Sequence, residues 1–457
     1  MAEQSVQTLL FPTLFQKPLV ATFDTPQQSS DGGAVLLKAI DDTLQLTTRL
    51  AACLPEWRQA GKIEHDLPTL VRQRCFGLAC GYADANDAAH LKADPIHKLL
   101  VGRDPRTGPD LASQPTLSRF ENGLGPRDLY RLTQTLADVV IAHQQARLAH
   151  TRVRRITLDL DPTDDPTHGQ QELSFFNGHY DTWCYLPLVG TLTFNAERTQ
   201  HLVTAVLRPG NAHATAGAIG ILRRLLAKLR VAFPHARLRI RLDGGFATPA
   251  VFAFLEAEGV EYLVAMASNP KLEQRVRRLL GKARMRSKAT GDTATLFGET
   301  RYAAKSWQRK RRVIMKAEVV RLVGRDPRDN PRFVVTNLPQ SPRRVYAIYR
   351  ERGDVENRLK ELHYGLGFDR TSCSGFWANA FRVLLTAAAY VLLQALRLRL
   401  AATPAASYQV GTLRERLFKL GARVQVSARR IVLHLPSAFP WLALWQAVAL
   451  ALGARPG

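Results

Sequence analysis

The spacing of apolar residues changes near residue 153, and that change constrains the fold more than any other feature of the chain. Before it, apolar positions recur at helical spacing in LPTLVRQRCFGLACGYADANDAAHL and LYRLTQTLADVVIAHQQARL, as helices with a buried face require. After it, RRITLDLDPT alternates apolar and polar residues and reads as a strand. WCYLPLVGTLTF and HLVTAVLRPG follow as two more strands, the second closing on a Pro-Gly turn. Thr215 to Phe233 reads as an amphipathic helix, ARLRIRLDGG as a strand, Pro249 to Glu258 as a short helix and VEYLVAMA as a strand. Tightly joined strands followed by strands alternating with helices require a mixed sheet covered by helices. The expected class is α/β.

At 457 residues the chain has room for roughly two to four domains. Residues 1–150 read as a helical N-terminal domain, punctuated by the turn-rich GRDPRTGPDLASQPTLSRFENGL. Residues 151–270 form the first part of the sheet domain. Residues 271–345 are rich in Arg and Lys and carry short β-like runs, TATLFGETRYA, RRVIMKAEVVRLV and PRFVVTNLP, so they read as a β-rich insertion. Residues 346–400 return to the core with helices at Tyr349–His363 and Phe376–Leu400. Pro404 breaks the pattern, and 401–457 read as an α/β tail. No internal repeat is evident.

Composition decides the class of partner. The apolar share of 46% supports a large core and argues against global disorder. Lys and Arg number 63 against 39 Asp and Glu, a net +24, which attracts polyanions. Nucleic acid is the leading partner; a basic membrane-surface protein is the rival. The most apolar run, Val383 to Leu396 between Arg382 and Arg397, falls short of the ~20 residues of a membrane span and reads as a buried helix. The first residues lack a cationic start before an apolar run, so no signal peptide is expected. Five cysteines are scattered without a CxxC or a Cys/His cluster, which points to reduced thiols in a cytosol. No phosphate-binding P-loop is present, so no nucleotide cofactor is expected.

Three carboxylates carry the chemistry. Asp159 and Asp161 share one face of their strand, because side chains repeat every second residue. Asp243 ends its strand before Gly244-Gly245, where the backbone can turn sharply and leave room for a phosphate. Glu356 lies on a helix. At ~100° per residue, Tyr349, Arg352, Glu356, Lys360 and His363 fall on one face about 80° wide. Taken alone, that helix is equally a solvated face with surface ion pairs. Cleavage of a phosphodiester with two Mg²⁺ ions needs carboxylates converging on a pair of ions ~3.5–4 Å apart.

At these residues a family resemblance becomes specific. DLDPTDDPTHGQQ, RLDGGF and YRERGDVENRLKELHYG closely resemble the insertion-sequence transposases grouped as DDE transposase, group one (insertion-sequence family thirteen-eighty). SDGGAVLL, QRCFGLACGYADANDA, DLASQPTLSRFEN and NPRFVVTNLP extend the likeness over nearly the whole chain. The resemblance implies a ribonuclease-H-like catalytic domain interrupted by a β-rich insertion, as the strand order also suggests. It implies Mg²⁺-dependent cutting at transposon ends, with Mn²⁺ able to substitute, and transfer of 3′ hydroxyls into target DNA. It further implies a homodimeric synaptic complex in a prokaryotic cytoplasm, associated with the nucleoid.

Carried over residue by residue, the metal-binding catalytic triad is Asp161, Asp243 and Glu356. The first rests on the family's Asp-x-Thr pattern, here Asp161-Pro162-Thr163, with Asp159 as the competing ligand. Related cut-and-paste enzymes carry Tyr-x2-Arg-x3-Glu-x6-Lys; Tyr349, Arg352 and Glu356 fit, but the last position is His363. Histidine is shorter and only partly charged near neutrality, and Lys360 is the candidate substitute for phosphate clamping. In hairpin-forming relatives a tryptophan of the insertion stacks on a flipped base. Trp307, in RYAAKSWQRKRR, is the candidate here, and burial in a β core is its other reading. Basic runs at 275–288 and 305–316 offer phosphate contacts. Gln114 and Arg119 are candidates for approaching DNA, and His168 for the site's edge, each with a plain turn or cap role as the alternative. A nuclease or resolvase without strand transfer, and a domesticated non-catalytic DNA-binding protein, remain as rivals.

Overall fold

The computed structural model describes residues 9–13, 16–22 and 24–455. Three N-terminal helices matter most for the core: α1 (Val35–Leu44), α2 (Leu67–Cys80) and α3 (Pro126–Arg147). The start of α2 is set by Asp66, whose side chain accepts from the Thr69 amide at 2.9 Å, satisfying one of the free donors of a helix N-terminus. Gly81, at φ +98°, ends it in the left-handed conformation that glycine adopts without strain.

The centre of the fold is a mixed sheet. Its strands are β1 (Arg155–Pro162), β2 (Leu188–Phe194), β3 (His201–Val206), β4 (Arg237–Leu242), β5 (Glu261–Met266), β6 (Ala294–Tyr302), β7 (Arg311–Val320) and β8 (Arg332–Thr336). They lie side by side in the order β6-β7-β8-β5-β4-β1-β2-β3, with the short strand Arg328–Asp329 on β7. β1 is antiparallel to β2 and parallel to β4, and β4 is parallel to β5. Helices α4 (Ala218–Ala232) and α5 (Pro249–Ala257) supply the crossovers that parallel neighbours need. The expected run of WCYLPLVGTLTF as one strand is instead Thr182–Tyr185 followed by β2, split where Pro187 lacks an amide for the ladder.

The segment expected to be a β-rich insertion begins with a long helix, α6 (Pro270–Thr290). Asn269 caps it, accepting from the Leu272 amide at 3.1 Å. Leu272, Val276, Leu280 and Ala283 line its buried side, a helical stripe hidden in sequence by the surrounding arginines and lysines. The strands that follow extend the main sheet, because β8 pairs with β5. After β8 come α7 (Pro342–Arg350), a 3-10 turn (Glu351–Gly353), α8 (Asp354–Lys360) and a π-helical turn (Glu361–Gly365).

The last core element is α9 (Phe376–Arg399), 24 residues and buried almost all round. Among the described residues it is the one helix long and apolar enough to cross a membrane, and 89% of its most apolar window is inside the fold. A helix apolar on every side needs cover on every side. β3 covers α9 on one flank, and α1, α2 and α3 cover the others. The helices of 1–150 and the sheet therefore share one hydrophobic cluster, where the sequence suggested a separate helical unit. Buried charge reinforces the join: Glu121 accepts from Arg74 at 2.7 Å and from Arg382 of α9 at 2.8 Å.

The two ends of the described chain also meet. A C-terminal hairpin, Ala422–Val426 with Ile431–His434, takes Gln28–Ser29 as a third strand. Beside it the buried Asp31 is bonded to His97 at 2.8 Å and to Lys419 at 2.7 Å.

Candidate active site

The site starts from the register of two parallel strands. Leu160 of β1 lies beside Leu242 of β4, so Asp161 and Asp243 each come one residue further along. They emerge together at the carboxyl ends of adjacent parallel strands, where open α/β sheets place their ligands. The Asp243 side chain accepts from the Gly245 amide at 2.8 Å. A Cβ on Gly245 would stand 2.7 Å from that of Ala214, so only glycine fits this turn.

Asp159 has another role. It is fully buried and gripped by Arg241 through two bonds of 2.7 Å, with Gln200 donating at 3.3 Å. Arg241 also donates to the Ile348 carbonyl at 2.9 Å and approaches Glu351 at 3.3 Å. The pair thus ties the sheet to the end of α7 and to the turn that follows. Both oxygens of Asp159 are committed, which favours Asp161 over it as the free carboxylate.

That turn delivers Arg352, whose Nη1 donates to Asp161 Oδ2 at 2.5 Å. Burial pushes the Asp161 carboxyl up to about 7; Arg352 pulls against this and Asp243 adds to it. Two carboxylates share a pocket with one guanidinium, and their repulsion is only partly relieved. The phenol of Tyr349 is also raised, first by burial, with Arg352 opposing.

The remaining members lie further out. The segment that carries Tyr349, Arg352, Glu356, Lys360 and His363 is not one regular α-helix, because the 3-10 turn and the π turn interrupt it. The wheel assumed ~100° per residue throughout, and neither turn keeps that pitch. Glu356 sits on α8, exposed, without a hydrogen bond or ion pair among the described residues. The oxygens of Asp161, Asp243 and Glu356 are not gathered within 4.8 Å of one another. Lys360 is exposed. His363 turns inward, its Nε2 standing 3.2 Å from Thr163 Oγ1, and burial lowers its pKa. It therefore touches the Asp161-Pro162-Thr163 motif.

Trp307 does not offer a face to DNA. It is 7% exposed and packed among Phe252, Tyr302 and Arg311, so the stacking role expected of it is not available in this structure. His168 and Arg119 are exposed, and Gln114 opens the helix Gln114–Asn122.

Two neighbours gave no signal in the sequence. Tyr180 is pushed up to about 12, by burial and then by the charges of Asp164, Asp161 and Asp243. Arg208 is lowered to about 10 by burial, with Tyr180 and Asp243 pulling it back. Its guanidinium donates to the carbonyls of Leu186 and Ala214 at 2.9 Å, yet Nη2 has no partner among the described residues. Both residues come to the site from loops, through tertiary folding alone.

Among the described residues, the set of ligand-type atoms that does come within 4.8 Å is Asp31, Cys80 and His97. There the Lys419 ammonium already occupies Asp31, so the charge is balanced without an ion.

Residues 11–455 match the description "transposase DDE domain group 1". The chain belongs to that family. Among curated proteins none matches it. In this DDE transposase domain, Asp161 and Asp243 stand at the carboxyl ends of two adjacent parallel strands, and Arg352 reaches the first of them from the segment beyond β8.

Proposed function

We propose that the protein is a cut-and-paste transposase of insertion-sequence family thirteen-eighty, acting on the terminal inverted repeats of its own element. The observation that carries this is the pairing of Asp161 with Asp243 at adjacent strand ends, under the Arg352 guanidinium. The order β3-β2-β1-β4-β5, antiparallel then parallel, supports a ribonuclease-H-like core. The donors are all carboxylate oxygens, which suit Mg²⁺, and the carboxyl of Asp161, raised first by burial and then by the Asp243 charge, is one whose ionised form a bound cation would favour. Two Mg²⁺ ions (or Mn²⁺) held by Asp161, Asp243 and Glu356 would activate water or a 3′ hydroxyl and stabilise the leaving oxygen.

The chain's own residues have separable tasks. Arg352 holds Asp161 in place and presents a fork of donors for a scissile phosphate. Tyr349 orients that guanidinium. His363 fixes Thr163 and so the loop after Asp161, while Lys360 is the exposed cation for a flanking phosphate. Glu356 completes the carboxylate set when DNA draws α8 inward. The helical region 1–150 would read the transposon ends, and joining two ends to one target requires a homodimer on DNA, in a cytoplasmic, nucleoid-bound setting.

The test is nicking and joining of end-bearing DNA with Mg²⁺. Asp161→Asn, Asp243→Asn and Glu356→Gln should each abolish nicking while leaving DNA binding in place. Undiminished nicking by Glu356→Gln would sink the assignment of the third carboxylate. Cut ends that are never joined to a second DNA would leave a nuclease.

A further inference from the structure

A groove of about 700 Å³ opens between α6 and α7, floored by β6 and β7. Phe297 and Lys316 are direct partners across that ladder. Phe297 packs against Tyr346 of α7 with ring centres 5.5 Å apart, and the Lys316 ammonium lies 5.4 Å from the Tyr346 ring. The groove contains one carboxylate, Glu318, already neutralised by Lys316 at 2.6 Å and accepting a hydrogen bond from the Asn330 amide at 2.7 Å. Arg286, Arg343 and Arg350 also line it. None of the three makes a side-chain ion pair or hydrogen bond among the described residues.

A chain of side-chain contacts links the groove to the site. The Tyr346 ring lies 6.1 Å from that of Tyr349, whose phenol interacts with Arg352, and Arg352 holds Asp161. Uncommitted cations around a ring pair form a combination that tracks a nucleic-acid backbone and stacks its bases. Flanked by two helices on one sheet, the groove takes a single strand more readily than a duplex. We propose that it binds an unpaired DNA strand beside the cleavage site, with bases stacked on Tyr346 and Phe297 and phosphates on Arg286, Arg343 and Arg350. The inference rests on the transposase reading.

The experiment is fluorescence anisotropy of the full chain with labelled oligothymidine, and with a duplex of equal length, in divalent-free buffer. Tyr346→Ala should weaken single-strand binding by about ten-fold or more, in line with the loss of one base stack, while Tyr346→Phe stays close to wild type. The Arg286→Glu/Arg343→Glu variant changes only exposed groups, so it also tests the groove should Tyr346→Ala fold poorly. It should weaken the single strand and flatten its salt dependence, with much less effect on the duplex. Unchanged single-strand affinity in both Tyr346→Ala and the charge-reversed variant would overturn the proposal, as would equal losses for duplex. Nicking that needs Asp161 beside groove variants that bind normally would remove the groove and leave the transposase reading. Groove-dependent binding without metal-dependent nicking would support the groove and remove that reading.

Discussion

Asp165 is buried four residues beyond Asp161, and its protonation makes stability depend on pH in an unusual direction. Thr371 donates to its Oδ1 at 3.0 Å, while Oδ2 has no partner among the described residues. Burial, then Asp369 and Asp164, push its carboxyl up to about 8. Below the ordinary value of 3.8, folded and unfolded chains both carry the proton and nothing is lost. Between 3.8 and about 8 the unfolded chain ionises while the folded one stays neutral, so stability falls as pH rises. The gap of ~4 pH units, at ~1.4 kcal/mol each, sets a ceiling of ~5–6 kcal/mol. For 457 residues an unfolding entropy of ~2 cal/mol/K per residue makes ~1 kcal/mol equal to ~1 °C. Asp165→Asn keeps the acceptor for Thr371 and removes the titration. The melting temperature of the variant minus that of wild type should therefore widen by about 3–5 °C between pH 4.5 and 8.5. Differential scanning fluorimetry across that range measures it, and parallel curves for the two proteins would refute the reasoning.

Other perturbations separate structural from catalytic parts. Arg241→Met leaves Asp159 buried and unpaired and should cost ~3–5 kcal/mol, seen in denaturant unfolding; a smaller loss would mean water reaches the pair. Trp307→Ala should destabilise by ~3–5 kcal/mol and leave DNA affinity of the folded fraction unchanged in a binding titration. Gly33→Ala places a methyl 1.6 Å from the Leu417 carbonyl, so it should loosen the packing of the C-terminal segment and raise its sensitivity to limited proteolysis.

Much of the centre was legible in the sequence. Alternation exposed β1, short apolar runs bounded by turns exposed β3, β4 and β5, and from those strands Asp161 and Asp243 could be read as strand-borne carboxylates. What escaped depended on breaks in regularity or on long-range folding. Gly353 lies in a tight turn that no wheel anticipates, so the uniform pitch drawn from Tyr349 to His363 is interrupted twice. The buried stripe of α6 was masked by its basic neighbours, although Asn269 and Gly291 bracket it as cap and stop. Trp307 in a basic stretch left stacking and burial equally open, and only folding shows Arg311 stacked over it and itself paired to Glu256. Tyr180 and Arg208 reach the site only because loops fold over the strand ends, which no local pattern reports.

The bond from Lys419 to Asp31 spans almost the whole chain. During synthesis the early helices must wait for a late lysine before Asp31 gains its ammonium and the third strand of the terminal hairpin closes. Until then the first part of the protein has only His97 to pair with that acid, and a shortened translation product would lack this clasp altogether.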